Sequence, residues 1–161
     1  MTTMTTELLT MIDPIDGSFV PTELNNTQWL QQLPANVLVK ASELVNEQGY
    51  PLDDIRDFIE SYGYLSFLEG HYETWADLTD AGYDTEAIET FIEENTIEDI
   101  DSFEEAYCGE FGSTREVVEW VMELDGLEVP SWLVVDYEST WQCNLRYDYI
   151  FECGYLFRRY F

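Results

Sequence analysis

The sequence predicts an α+β protein, mainly helical, made of small acidic helical domains and closed by a short C-terminal β-hairpin. Three observations predict this class. Apolar residues recur at helical spacing in several stretches, each with carboxylates on the opposite side. Those stretches open on Asn, Asp, Ser or Pro and close on Gly. A strand-like pattern is clear only near the C-terminus, on either side of Cys153 and Gly154. A chain of 161 residues suffices for one or two small domains with a real core.

In chain order, residues 1–35 read as an irregular N-terminal arm. They are Thr-rich at the start and punctuated by Pro14, Gly17, Pro21 and Pro34, with one short strand expected near 18–20. An acidic helical module follows over 36–83. Asn36 is the expected N-cap of a helix that turns Val37, Leu38, Ala41, Leu44 and Val45 to one face and stops before Gly49. Pro51 suits a first helical position. From it Leu52, Ile55, Phe58, Ile59 and Tyr62 face inward until Gly63, while Asp53, Asp57 and Glu60 fall outward. The pair resembles a helical hairpin. Between 64 and 82 the two periods mix, and a short helix over 72–78 with Gly82 as its stop fits best.

The third segment covers 84–161. Asp84 is placed to cap a helix with Ala87, Ile88, Phe91 and Ile92 inward and Glu86, Glu89 and Glu93 outward. Residues 103–107 read as a helical turn closed by Gly109. Ser113 and Glu116 form a capping box that opens a helix ending before Gly126, with Glu116, Glu119 and Glu123 in one stripe. Pro130 is expected to open a further short helical piece, and Asp136 a last helix reaching about Leu145. Residues 147–151 and 155–160 then pair as the hairpin.

Charge is the dominant compositional fact. Asp and Glu number 34 against 6 Lys and Arg, a formal net charge of −28. Nucleic acid and anionic membranes would be repelled at long range, and basic proteins attracted. Acidity of this degree usually accompanies disorder, yet the chain is 45% hydrophobic and 16% aromatic. A halophilic surface would also be acidic, but would thin out large apolar residues. Residues 84–128 concentrate the pattern: carboxylates crowd there with Arg115 as the single cation, threaded by Ile88, Phe91, Ile100, Phe103, Trp120 and others.

Chemistry-bearing constellations are few. His71 is the one histidine, so no Ser–His–Asp or Cys–His set has its base elsewhere, and beside Gly70 and Tyr72 a structural role is expected. No phosphate-cradling glycine loop occurs; Gly109 and Gly112 flank Glu110, which would repel phosphate. No calcium loop fits either, since residues 94–105 lack the central Gly and residues 77–89 the alternation of ligands. The chain is read as having no catalytic residues, no metal site and no cofactor. Cys108, Cys143 and Cys153 form no CxxC, which points to a reducing compartment. Neither a signal peptide nor a membrane span is recognisable, and a soluble, cytoplasmic protein is expected.

What remains is the charge. Duplex DNA carries one negative charge per about 1.7 Å of axis, so 28 charges correspond to about 48 Å, or about 14 base pairs. Carboxylates held on helices would keep phosphate-like spacing better than a loose acidic tail. The surface expected to carry this imitation comprises Asp53, Asp57, Glu60, Glu86, Glu89, Glu93, Glu98, Asp99, Asp101, Glu104, Glu105, Glu116, Glu119 and Glu123. Arg146, Arg158 and Arg159 crowd the C-terminus and are expected to pair with acids, internally or across a dimer interface.

Several short pieces occur in order over residues 84–161. They are Phe103, Glu104, Glu105, Ala106 and Tyr107, then Gly109, Glu110, Phe111 and Ser113, then the acidic helix. Pro130 with Leu133, the run Asp136, Tyr137 and Glu138, and the ending Gly154, Tyr155, Leu156, Phe157 and Arg158 complete the set. Together they resemble the ArdA antirestriction family. Residues 1–83 do not carry the family's N-terminal pattern. The resemblance implies a homodimeric DNA mimic from a phage or mobile element. It would act in the host-cell cytoplasm by occupying the DNA-binding groove of a type I restriction–modification enzyme, without catalysis. Charge alone leaves two other readings: a mimic directed at another nucleic-acid-binding host protein (an anti-CRISPR, or an inhibitor of a nucleoid protein or polymerase), and an acidic cation-binding protein.

Overall fold

Asn25 caps the first helix of the computed structural model, which describes residues 25–161; the strand expected near 18–20 lies outside them. The fold class is the one expected. Eight α-helices occur among the described residues, with one small antiparallel sheet near the C-terminus. The chain divides into two compact units, the first ending at Glu73 and the second spanning Thr74–Phe161.

The first unit is helical. α1 (Asn26–Gln31) falls in the stretch expected to be irregular, and a reciprocal capping box explains it. The Asn25 Oδ1 accepts from the Gln28 amide at 2.8 Å, and the Gln28 Oε1 accepts from the Asn25 amide at 3.3 Å. Two of the four orphan amides of a six-residue helix are thereby satisfied, and Trp29, Leu30 and Leu33 are buried. α2 (Ala35–Asn46) begins two residues earlier than Asn36 implied. Pro34 takes the cap position, and the Asn36 side chain instead accepts from the adjoining Val37 amide. Its inward face is otherwise as expected, with Val37, Ala41, Leu44 and Val45 buried.

α3 (Leu52–Leu68) runs on past Gly63 instead of stopping there. The helix breaks locally at that residue, at φ +90° and ψ 173°, a conformation open only to glycine, and resumes to bury Ser66 and Phe67. Lys40 tethers its end, donating to the Phe67 carbonyl at 2.6 Å and lying 3.3 Å from Glu73 Oε2. Tyr72 packs edge-on to Tyr50 and Phe58, with ring centroids 5.3 and 5.6 Å away. α4 (His71–Asp80) is longer than the expected 72–78, and the boundary between the units falls within it.

The second unit is built on a central strand. After α5 (Thr85–Glu94), a 3₁₀ segment (Ile97–Ser102) and the short α6 (Phe103–Ala106), the chain enters β1 (Tyr107–Glu110). α7 (Thr114–Leu124), α8 (Tyr137–Cys143) and a 3₁₀ turn (Leu145–Tyr147) precede the hairpin of β2 (Tyr149–Glu152) and β3 (Tyr155–Arg158). Strand order is β1–β3–β2, antiparallel throughout. The last-made strand therefore lies in the middle, and Tyr155, Leu156 and Phe157 are all buried.

Strand periodicity sends those side chains to opposite faces. Phe157 meets Phe91, Phe103 and Tyr107 at centroid distances of 5.4, 6.1 and 5.6 Å. On the other face Leu156 joins Val117, Val118 and Trp141 in a second cluster, flanked by Phe111, Trp120 and Phe151. The sheet is thus sandwiched between α5 and α6 on one side and α7 and α8 on the other. The segment after Pro130 differs from expectation. It makes a turn closed by the Leu133 amide on the Pro130 carbonyl at 3.0 Å, with no helix.

Candidate protein-binding acidic surface

Every Asp and Glu among the described residues is exposed, apart from Glu73 and Asp99, which are half-buried. Of the carboxylates expected to form the imitation surface, Asp99 alone is half-buried. Three helices carry the same device, three carboxylates spread over eight residues: Asp53, Asp57 and Glu60 on α3, Glu86, Glu89 and Glu93 on α5, Glu116, Glu119 and Glu123 on α7. At 1.5 Å of rise per residue, successive carboxylates lie about 5 Å apart along each axis, against about 3.4 Å per charge along one DNA strand.

The three stripes are not equally free. On α3, Arg56 Nε lies 2.9 Å from Glu60 Oε1, and the Asn26 side-chain amide donates to Asp53 at 2.8 Å, so Asp57 alone of the three lacks a partner among the described residues. Arg56 is itself fixed by Asn26 Oδ1 at 3.1 Å and by the Trp29 ring beneath it. On α7, Arg115 Nε sits 3.0 Å from Glu119, and Glu116 accepts from the Gly112 amide at 2.6 Å. That bond modifies the expected capping box. Ser113 Oγ accepts from the Glu116 amide at 3.3 Å as expected, but Glu116 reaches one residue further back than the cap. Glu123 has no hydrogen-bond or ion-pair partner among the described residues.

On α5 no carboxylate has a hydrogen-bond or ion-pair partner among the described residues, because the helix contains no cation and its neighbours supply none. The run continues through Glu98, Glu104 and Glu105, all exposed and all unengaged by side chain. Asp99 and Asp101 are held by Thr96 Oγ1 at 3.2 Å and Thr74 Oγ1 at 2.8 Å, hydroxyls that fix a carboxylate without neutralising it. No Lys or Arg occurs from 84 to 105. The guanidinium of Arg158 donates to the backbone carbonyl of Glu105 at 3.0 Å, leaving that carboxylate unpaired. Residues 84–105 are thus a continuous, fixed, un-neutralised anion.

The expectation that the C-terminal arginines pair internally with acids is corrected. Arg159 donates to the Arg146 carbonyl at 2.8 Å and Arg146 to the Tyr147 hydroxyl at 3.0 Å. None of the three has a carboxylate within ion-pair distance among the described residues. Two of the three guanidiniums thus go to backbone carbonyls, of Glu105 at the end of α6 and of Arg146 in the 3₁₀ turn, and the third to a hydroxyl.

Two groups outside the expected set report on the field. Asp84 has the cap position of α5 but makes no side-chain cap; its Oδ2 accepts from the Tyr155 hydroxyl at 3.3 Å. Burial of the Tyr155 ring, then the charges of Asp84, Glu86 and Glu110, push that phenol up to about 12. Tyr107 is raised too, first by burial and then by Asp84 and Glu110. Composition signals such an effect only in general terms, since the contact joins residues 71 positions apart. His71 is buried, with Nδ1 3.9 Å from Glu69 Oε2.

Among the described residues, no group of three or more His, Cys, Asp or Glu is placed to hold a metal ion. No helix there is long and apolar enough to cross a membrane. Cys108 is half-buried, and burial raises its thiol pKa; Cys143 and Cys153 are exposed. No family model, curated protein or solved structure matches the chain.

Proposed function

We propose that the protein is a DNA-mimic inhibitor that occupies the DNA-binding groove of a type I restriction–modification enzyme in the host cytoplasm, as a homodimer and without catalysis. The observation that carries the reading is the un-neutralised carboxylate run of 84–105, set on helical elements whose other face is core. A groove lined with Lys and Arg holds counterions or phosphates in its resting state. Carboxylates fixed at comparable spacing release those counterions as a duplex would. Fixing them on packed helices removes the ordering entropy that a disordered acidic tail would lose on binding. The choice of a type I enzyme among basic clefts comes from the resemblance of 84–161 to ArdA proteins, and the charge geometry suits any cleft of that kind.

The test is displacement. A labelled duplex bound to a purified type I enzyme should be released by the chain, with an affinity that falls steeply as NaCl rises. Retention of the duplex at saturating protein, or displacement indifferent to salt, would overturn the reading.

A further inference from the structure

We infer that the apolar strap at 124–134 is an anchor by which the acidic surface holds its basic target protein; the inference rests on the inhibitor reading above. Leu127, Trp132 and Val134 are 60%, 79% and 91% exposed, with Leu124 and Leu133 exposed beside them. Such a run of large apolar side chains in a chain this acidic is the surface feature that composition least accounts for. Beyond Leu124, the last residue of α7, the strap has neither helix nor strand. It is shaped by the Leu127 amide on the Met122 carbonyl at 2.9 Å and by the Pro130–Leu133 turn.

Its rim decides the occupant. Glu123, Asp125, Glu128, Asp136 and Glu138 are exposed around it, and no Lys or Arg occurs between Arg115 and Arg146. A second copy would bring two anionic rims face to face, and an anionic bilayer would be repelled in the same way. An apolar groove edged by Lys and Arg is complementary in both respects. The carboxylate run then governs encounter and salt dependence, while Trp132 and its neighbours, dehydrated in the complex, govern how long it lasts.

The experiment uses the full chain carrying Trp132→Ser with Val134→Ser, titrated against the type I enzyme–duplex complex over a range of NaCl concentrations. Both side chains are exposed, so the substitutions leave the core untouched. The expected result is a dissociation constant raised about tenfold or more, through faster dissociation, with the slope of log K on log salt unchanged. Equal affinity for variant and unsubstituted chain overturns the anchor and leaves the inhibitor reading standing. Failure of the unsubstituted chain to displace the duplex overturns both. A dimer that becomes a monomer on substitution, measured by sedimentation equilibrium, assigns the strap to a second copy and overturns the anchor.

Discussion

Neutralising the α5 stripe with Glu86→Gln, Glu89→Gln and Glu93→Gln removes three unengaged carboxylates without changing the helix's buried face. If each stands for one phosphate, it contributes about 0.9 to the slope of log K on log salt, or about 0.7 log unit at about 0.15 M relative to about 1 M. The triple variant should lose about 2.2 log units, equivalent to about 3 kcal/mol, and its salt slope should shrink by about 2.7. The matching triple on α7 is the control. Glu119 is already neutralised by Arg115, while Glu116 accepts from the Gly112 amide without losing its charge, so Glu116 and Glu123 remain to meet a target cation. That variant should lose about 1.5 log units, about thirtyfold. Duplex displacement from the enzyme at several NaCl concentrations measures both. Loss of fold is separable: Glu86 with Glu89, and Glu89 with Glu93, are like-charge pairs whose removal stabilises a helix by a few tenths of a kcal/mol each. The α5 variant should therefore melt no lower than the unsubstituted chain while binding about a hundredfold more weakly. Equal losses from the two helices, or an unchanged salt slope, would refute the phosphate equivalence. Abolition by Glu89→Gln alone would point to a discrete site.

Three further outcomes follow from the same structure. Tyr155 has a folded pKa of about 12 against about 10 in the unfolded chain, so the native state holds its proton longer. Its contribution is fully present below about pH 10 and lost as pH rises towards about 12, and Tyr155→Phe should flatten that alkaline loss in denaturation midpoints. Cys153 occupies the left-handed region at φ +54° in the hairpin turn, so Cys153→Asn should raise stability by about 0.5–1 kcal/mol, read from the urea midpoint at constant m. Raising NaCl from about 0.05 M to about 0.5 M shortens the screening length from about 14 Å to about 4 Å, and should raise Tm by about 2–4 °C per kcal/mol of repulsion removed. A Tm that falls instead would mean that ion pairs outweigh repulsion; among the described residues the Lys and Arg pairs are Lys40–Glu73, Arg56–Glu60 and Arg115–Glu119.

How far the fold could be read from the sequence follows from the range of the interactions involved. The inward faces of α2, α3 and α5 emerged from apolar spacing alone, because burial of one stripe is a local pattern with a single solution. The hairpin was legible because Cys153 and Gly154 sit between alternating segments. β1 was not: Tyr107, Cys108, Gly109 and Glu110 have no strand pattern, and the strand exists because β3 lies beside it, with a register shift between Tyr107 and Gly109. Long-range pairing of that kind leaves no periodic trace. α1 did leave a signal, Asn25 followed three residues later by Gln28, obscured by the Pro- and Thr-rich residues before it. The carboxylate stripes were legible as positions but not as a hierarchy. Which of them are free depends on Asn26 and Arg56 lying beside the α3 stripe and on Gly112 and Arg115 lying beside the α7 stripe, and only α5 emerges with none of its three paired to a cation.

The acidity and the aromatic content of this chain then have one explanation. Each like-charge pair on α5 costs a few tenths of a kcal/mol, and the net charge adds a longer-range repulsion that disfavours any compact state. Directly beneath those glutamates, Phe91 packs against Phe103, Phe157 and Phe161 at centroid distances of 5.5, 5.4 and 5.7 Å. Phe103 in turn meets Tyr83 and Tyr107, both at 5.1 Å. An aromatic pair contributes about 0.5–1.5 kcal/mol beyond the area it buries, so one contact at Phe91 offsets about two to three like-charge pairs on the surface above it. Truncating Phe91 to Ala should cost about 3–5 kcal/mol, as an ordinary core Phe deletion does, and about the same at any salt, because the surface repulsion is common to both chains. At low salt that cost falls on a fold already weakened by repulsion, so the variant should be unfolded there and recover its fold as the carboxylates are screened: the core must be strong enough to hold charges at spacings they would otherwise relax.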